Sequence, residues 1–270
     1  MAAYPRRVHG IDFSGAADAG RRIWIASGAI ESHRLRIDAC RRAEALPGSG
    51  RERDICLTAL RNFIAGEKAC AVGLDFPFGL PASLMGTPSW DDFIHSFPNR
   101  YPSPQQFREQ CVRTAGGGEQ KRATDIESRA PFSPYNLRLY RQTYYGIRDV
   151  LHPLVRDGQA CVRPMQRAQS GKPWLFEICP ASTLKRLSLY APYKGRTKAH
   201  SLARKRILGE LEKNGGLSVP SSARAILIEE SNGDAPDSVI AAWTTFQALR
   251  HPEHLTARDN AHVLEGRIYM

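Results

Sequence analysis

The 270-residue chain has no apolar run near the roughly 18 residues that a membrane-spanning helix needs, and no apolar leader stretch follows its basic amino terminus. Its six cysteines are dispersed without any Cys-x-x-Cys pair, which argues against a structural zinc site and favours a reducing, cytoplasmic compartment. The chain lacks the Gly-x-Ser-x-Gly elbow of serine hydrolases, and Gly116-Gly117-Gly118 precedes no Lys-Ser or Lys-Thr pair. These absences argue against membrane proteins, disulfide scaffolds and P-loop enzymes.

Negative charge is comparatively scarce. Lys and Arg number 38 against 27 Asp and Glu, a net charge of +11. Such a surplus favours polyanionic partners, above all nucleic acid, because cationic side chains release counterions from the phosphates that they neutralise. A solubilising surface charge is the alternative explanation. With 42% hydrophobic residues the chain can bury a core, and we expect a single domain over residues 1–270.

Two short blocks carry the strongest signal, Gly10-Ile11-Asp12-Phe13-Ser14-Gly15 and Gly73-Leu74-Asp75-Phe76-Pro77-Phe78-Gly79. Each continues a short apolar run, reaches an aspartate and breaks at once into turn residues, as buried strands do. If the two strands are neighbours, Asp12 and Asp75 meet at the rim of the sheet where α/β folds place their chemistry. Like charges held together disfavour each other's ionised form unless a cation joins them. The blocks therefore predict a divalent-metal site.

The opening elements are strands near 7–11, 22–28 and 35–39, a helix over 51–66, and the strand that leads to Asp75. This is the opening order of an RNase H-like α/β fold, and we expect such a fold, a mixed sheet flanked by helices. The later elements are a strand over 173–180, helices over 198–213, 221–230 and 238–249, and a final strand within 264–269.

The segment from about 82 to 172 differs in composition from the rest of the chain. It is rich in Pro, Arg and aromatic residues, and a helical stripe of apolar residues runs over 135–155. The Gly-rich stretch 116–122 predicts a mobile loop. We interpret the segment as a helical insertion that interrupts the sheet.

Two further acids, Asp234 and Asp237, lie three residues apart before the apolar helix. Capping is the alternative role, because Asp234 is a natural N-cap and Asp237 complements the helix dipole. The apolar sequence of the helix predicts that it packs against the sheet. Its first turn would then face the same rim as Asp12 and Asp75.

Glu177 lies inside the otherwise apolar strand Trp174-Leu175-Phe176-Glu177-Ile178. It could point to water from an edge strand. Burial of a charge is costly unless the charge is paired or bound to a metal, so its apolar neighbours favour a pairing or ligand role.

The densest basic cluster comprises Lys194, Arg196, Lys198, Arg204, Lys205 and Arg206. It could be a solvated helix face, or it could grip a phosphate backbone. We assign Lys194, Lys198 and Arg204 as candidate phosphate-binding residues.

Together the blocks resemble a known family. Gly-Ile-Asp, Gly-Leu-Asp-Phe-Pro-Phe-Gly-Leu-Pro, Phe-Glu-Ile-Cys-Pro-Ala, Asp-Ala-Pro-Asp-Ser-Val-Ile-Ala-Ala and Glu-Gly-Arg-Ile-Tyr are similar to motifs of the predicted RNase H-like nucleases known as domain of unknown function 429. The resemblance implies an RNase H-like fold and a carboxylate cluster of Asp12, Asp75, Glu177 and the pair Asp234 and Asp237. Lys194 or Lys198 would match the basic residue after the family's Glu-x-x-Pro block. Phe13 departs from the family, which often has a small residue after the first acid.

The sequence therefore predicts a nuclease in which Mg²⁺ or Mn²⁺ ions bridge the scissile phosphate. Asp12 would bridge two ions, Asp75 and Asp237 would complete their shells, and Asp234 or Glu177 would supply the remaining ligand. A lysine, with Lys198 as the candidate, would hold the phosphate and so belong to the catalytic set. Two alternatives remain open: an ATP-dependent phosphotransferase of the actin and sugar-kinase type, and a non-catalytic nucleic-acid binding protein.

Overall fold

A three-stranded antiparallel meander opens the fold in this computed structural model, which describes residues 4–256 and 259–270. It consists of β1 (Arg7–Asp12), β2 (Trp24–Glu31) and β3 (Arg34–Arg42). β4 (Cys70–Leu74) then lies beside β1 on the side away from β2, and runs parallel to it. The predicted meander and the predicted fourth strand are both confirmed.

Four more strands complete a mixed sheet, and the protein is α/β, as predicted. They are β5 (Cys161–Val162), β6 (Trp174–Ile178), β7 (Leu217–Ser218) and β8 (Ile268–Tyr269). The order is β5-β6-β4-β1-β2-β3-β7, with β8 also paired to β6. β6 and β8 confirm two predicted strands, whereas β5 and β7 are two-residue segments without a detectable sequence pattern.

Helices cover both faces of the sheet. In chain order they are α1 (Ala19–Arg22), α2 (Arg53–Gly66), α3 (Ala82–Met85), α4 (Trp90–Arg100), α5 (Pro104–Thr114), α6 (Ala123–Glu127), α7 (Tyr140–Gly146), α8 (His152–Arg156), α9 (Pro180–Arg186), α10 (Lys198–Gly215), α11 (Ser221–Glu229), α12 (Asp234–Arg250) and α13 (Asn260–Glu265). One apolar core lies between the sheet and α2, α4, α5, α7 and α8. A second core lies on the other face, under α9 to α12. No helix in the described part of the chain is long and apolar enough to span a membrane.

The segment 82–172 is mostly helical and contains α3 to α8. The predicted helix over 135–155 begins only at Tyr140, and a π-helical turn, Ile147–Leu151, joins α7 to α8. The end of the predicted mobile loop is buried, because Arg122 is only 1% exposed.

α12 is the central helix of the second core. It packs across β1, β2 and β4, and nearly all of its side chains are buried. A helix that is apolar on all sides is expected in a protein interior, so its burial confirms the sequence prediction.

Candidate active site

Asp12 and Asp75, the aspartates of the two short sequence blocks, lie at the same edge of the sheet. Because β1 and β4 are parallel neighbours, with Ile11 opposite Leu74, Asp12 and Asp75 occupy matching positions. The backbone N–H of Asp75 donates to the carbonyl oxygen of Ile11 at 3.0 Å. Asp12 is 8% exposed, and Asp75 is partly exposed.

Two glycines allow α12 to approach these strands. A Cβ atom on Gly10 would lie 2.1 Å from the backbone nitrogen of Ala242 and from the carbonyl oxygen of Ser238. A Cβ atom on Gly73 would lie 2.1 Å from Oγ1 of Thr245. Each glycine stands two residues before its aspartate, on the same face of its strand. The helix therefore rests directly on strand backbone just below the acids.

This contact brings the first turn of α12 to Asp12 and Asp75. Asp237 in that turn is 3% exposed, and Asp234 is partly exposed. The carboxylate of Glu230, at 2.8 Å, accepts the backbone N–H of Asp234. Glu230 therefore satisfies the start of the helix, and Asp234 does not serve as the N-cap that the alternative interpretation proposed.

Asp237 is held by the two residues that precede α10 by a few positions. The hydroxyl of Tyr193 donates to Oδ1 of Asp237 at 2.5 Å, and Nζ of Lys194 lies 2.6 Å from Oδ2. The Lys194 side chain is still 52% exposed. Lys194 is therefore a counter-ion of Asp237 whose half-exposed side chain can turn away while the surrounding residues stay folded.

The acids raise each other's pKa. Burial raises the pKa of Asp12 well above its ordinary value, and the charges of Asp237, Asp75 and Asp234 add to the rise. Burial, followed by the charge of Asp237, raises the pKa of Asp75 to about 8. Burial also raises the pKa of Asp237, and it raises that of Asp234 to about 6. Lys194 lowers the pKa of all four carboxyls. The cluster therefore contains more carboxyl groups than its one lysine can keep ionised.

Glu177 is placed differently from the other predicted ligands. It lies opposite Leu74 in the parallel pair of β6 and β4, and is 1% exposed, so the edge-strand alternative is wrong. Nη1 of Arg122 donates to its Oε2 at 2.8 Å, and Nη2 to its Oε1 at 2.5 Å. The backbone N–H of Phe78 also donates to Oε2 at 2.9 Å. Both oxygens are therefore occupied by protein donors, and we correct the ligand assignment of Glu177 to a buried ion pair with Arg122.

Two of the predicted phosphate-binding residues, Arg204 and Lys198, do not contact the acids. Arg204 is 3% exposed and donates to the carbonyl oxygens of Tyr193, Gly195 and Ile228 at 2.5, 3.1 and 2.8 Å. It therefore fixes the segment that carries Lys194, and we correct its assignment. Lys198 is exposed at the start of α10 and makes no ion pair within residues 4–256 and 259–270. The structure brings Lys194, and not Lys198, to the acids.

A cavity of about 490 Å³ opens beside the acids. Asp75, Asp237 and Lys194 line one side, and Phe132, Tyr190 and Tyr193 contribute aromatic surface. A molecule bound in the cavity could therefore contact both aromatic side chains and the charged groups at the edge of the sheet.

Sequence reasoning missed three features of this site. Arg122 lies in a stretch of polar residues that gives no local sign of burial, and only the buried charge of Glu177 requires such a partner. Tyr193 adjoins the predicted Lys194 but has no pattern of its own. The glycines Gly10 and Gly73 were visible in the repeated block, two residues before each aspartate, and could have predicted the close approach of a helix.

A second group of potential ligands lies on the opposite face of the sheet. Within the described residues, His9, Glu67 and Cys70 are the one group with three ligand atoms all within 4.8 Å of one another, and such a group could hold a metal ion. The carboxylates of Asp12, Asp75, Asp234 and Asp237 are spread more widely than this.

Searches with this chain against protein-family models, curated proteins and solved structures found no match.

Proposed function

We propose that the protein is a divalent-metal-dependent phosphodiesterase that cleaves nucleic acid. The observation that carries the proposal is the convergence of Asp12, Asp75 and Asp237 at one sheet edge, with the pKa of each raised by burial. A cluster of this kind is stable in its ionised form when a cation joins it. Carboxylate oxygens are the ligands that Mg²⁺ and Mn²⁺ prefer, so the donor set fits these ions.

The order of the strands supports an RNase H-like fold for this site. The meander β1–β3 comes first, α2 follows, and β4 then pairs with β1 on its free side. This is the order that the sequence predicts for such a fold, and it places the two block aspartates on adjacent strands.

Asp12, Asp75, Asp234 and Asp237 would hold the metal. Bound ions would activate water and stabilise the leaving oxygen of a phosphodiester. A site for two ions would spread its ligands more widely than a site for a single ion. This spread is consistent with the wider spacing of the four acids.

Lys194 has a distinct role in this proposal. Its ammonium group lies 2.6 Å from Oδ2 of Asp237, where it supplies positive charge to the cluster. A carboxylate that binds a metal ion no longer needs this partner, and the half-exposed lysine can then turn to a substrate phosphate. Arg204 positions the Lys194 segment through its bonds to the carbonyl oxygens of Tyr193 and Gly195.

The cavity beside the acids supports a nucleotide-containing substrate. Phe132 and Tyr190 present aromatic surface there, and bases stack on aromatic side chains in single-stranded nucleic-acid sites. The net charge of +11 favours the same class of partner.

The deciding experiment combines Mn²⁺ binding by calorimetry with a cleavage assay on pooled DNA and RNA, for wild type and Asp12→Asn. We expect wild type to bind Mn²⁺ and to cleave, and Asp12→Asn to lose both while it keeps its fold by circular dichroism. Asp38→Asn is the matched control, because Asp38 lies on β3, outside the acid cluster, where it pairs with Arg7 and Arg36.

Three outcomes contradict the proposal. Cleavage retained by a folded Asp12→Asn protein would exclude Asp12 from the chemistry. Mn²⁺ binding without cleavage would indicate that the metal site acts on a phosphate substrate other than nucleic acid. Tight nucleic-acid binding without metal-dependent cleavage would favour the non-catalytic alternative.

A further inference from the structure

We propose a second metal site, selective for Zn²⁺, formed by His9, Glu67 and Cys70. His9 lies in the middle of β1, Cys70 begins β4, and Glu67 follows the end of α2. Their ligand atoms all lie within 4.8 Å of one another. The site would tie the end of α2 to two central strands.

This group is separate from the acid cluster. Successive side chains of a strand alternate between faces, so His9 and Asp12 project from opposite faces of β1. Cys70 begins β4 and Asp75 directly follows its last residue, about 16 Å away along the strand at about 3.3 Å per residue. Occupancy of one site can therefore be measured independently of the other.

The buried imidazole of His9 points to a missing partner. His9 is 1% exposed, and its Nε2 has no hydrogen-bond partner. Nδ1 lies 2.8 Å from Oγ of Ser27. When Nδ1–H donates to Ser27, Nε2 carries a free lone pair on the nitrogen that lies 3.5 Å from Oε2 of Glu67. Orientation of a metal-binding imidazole by a hydrogen bond at its other nitrogen is the usual arrangement in proteins.

The distance between Nε2 of His9 and Oε2 of Glu67, together with the ligand types, fits Zn²⁺. Nε2 of His9 lies 3.5 Å from Oε2 of Glu67, which is long for a hydrogen bond. Tetrahedral zinc with bonds of about 2.0–2.1 Å places neighbouring nitrogen and oxygen ligands about 3.4 Å apart. A set of one imidazole, one thiolate and one carboxylate suits this borderline-soft ion better than Mg²⁺ or Mn²⁺.

Access to the site is through Glu67. Its side chain is 26% exposed, whereas His9 and Cys70 are buried. A water molecule on this side would complete four-coordination. The Cys70 thiol loses its proton to solvent when its sulfur bonds to the ion.

Co²⁺ provides the sharpest test, because a thiolate ligand gives a near-ultraviolet charge-transfer band that carboxylate ligands do not. We expect chelator-treated full-length protein to bind one Zn²⁺ at this site and to show the band with Co²⁺. Cys70→Ser should abolish the band. Cys161→Ser is the matched control, since Cys161 is a buried cysteine of β5 in the other core. Asp12→Asn should keep the band, so this test does not depend on the nuclease proposal.

Glu67→Gln decides the question if Cys70→Ser does not fold, because Glu67 is partly exposed. We expect this variant to bind Zn²⁺ at least tenfold more weakly and to lose the rise in Tm that Zn²⁺ gives wild type. A folded wild type that shows no band and no Zn²⁺ binding overturns the proposal. A band that persists in Cys70→Ser, or unchanged Zn²⁺ affinity in Glu67→Gln, overturns it as well.

Discussion

The buried carboxylates of Glu177 and Asp237 differ in the cation that each one faces. Glu177 meets the guanidinium of Arg122, which is itself fully buried and cannot leave. Asp237 meets Lys194, whose side chain is half exposed. Asp12 has no ion pair of its own within the described residues. A fixed guanidinium makes Glu177 a structural residue, whereas a removable ammonium leaves the aspartates available to an external cation.

Arg122→Gln should strongly destabilise the protein. Arg122 pairs with the buried carboxylates of both Glu177 and Asp125, so its removal leaves these charges uncompensated, and such a loss costs about 3–5 kcal/mol. Urea unfolding should show this loss in the free energy of unfolding. Arg7→Gln is the control, because Arg7 forms an exposed pair with Asp38, and such pairs contribute about 0–1 kcal/mol. Equal losses in the two variants would refute the assigned role of Arg122.

The pKa of Asp75 predicts how stability depends on pH in the absence of metal. Its pKa is about 8 in the folded protein, against an ordinary value of 3.8. Between these values the folded state binds a proton that the unfolded state does not. The free energy of unfolding should therefore fall as pH rises from about 4 to 8, by up to about 1.4 kcal/mol per pH unit for one such proton.

Urea unfolding in EDTA across this pH range measures the slope. Asp75→Asn removes the titrating group, so its slope should be smaller than that of wild type. An identical slope in the variant would show that the carboxyl of Asp75 is not perturbed in the folded protein.

At the scale of elements, the fold depends on direct contact between α12 and the backbone of β1 and β4. Gly10→Ala should destabilise the protein by about 3 kcal/mol or more, because its Cβ would lie 2.1 Å from backbone atoms of α12 that cannot rotate away. Gly209→Ala in α10 is the control, since its Cβ meets nothing within 4 Å and alanine favours helix by up to about 1 kcal/mol. Thermal unfolding of both variants compares the effects, and a Gly10→Ala protein as stable as wild type would contradict this packing.

The elements that sequence predicts best are those with a long periodic pattern. α12 and α2 have enough apolar positions to reveal both their type and their burial, and the block aspartates mark the ends of β1 and β4. β5 and β7 are two residues long, so no periodicity exists to detect. The pairing of Arg122 with Glu177 joins residues 55 positions apart, and nothing local to either one specifies it. Sequence therefore located the acids, but only the tertiary structure separates a ligand candidate such as Asp237 from a structural acid such as Glu177.

At the scale of the molecule, the predicted basic cluster divides by burial. Arg204 is internal, whereas Lys205 and Arg206 are exposed on α10 and Arg196 and Lys198 are exposed before or at its start. The exposed residues are the ones that could contact a phosphate backbone. Part of the positive charge behind the net charge of +11 is therefore exposed on residues close in sequence to Lys194.

Under the proposed function, nucleic-acid affinity should depend on these exposed residues and on salt. Lys205→Gln combined with Arg206→Gln should reduce the slope of log K against log salt by about 1–2, since each phosphate contact contributes about 0.7–0.9. Fluorescence anisotropy with a labelled oligonucleotide at several salt concentrations measures this slope. Arg156→Gln is the control, because Asp157 already pairs with Arg156. A slope that the double variant leaves unchanged would place the binding surface elsewhere.

The glycine contacts under α12 also determine how the site can move. At Gly10 the nearest contacts of the strand are backbone atoms of α12, so no change of side-chain rotamer can separate the helix from β1. The backbone of Asp234 and Asp237 can move away from that of Asp12 and Asp75 only if α12 leaves the sheet, an opening that approaches the cost of global unfolding. Under the proposed function, the cavity wall around Phe132 and Tyr190 would accommodate differently shaped substrates, while the charged edge stays rigid.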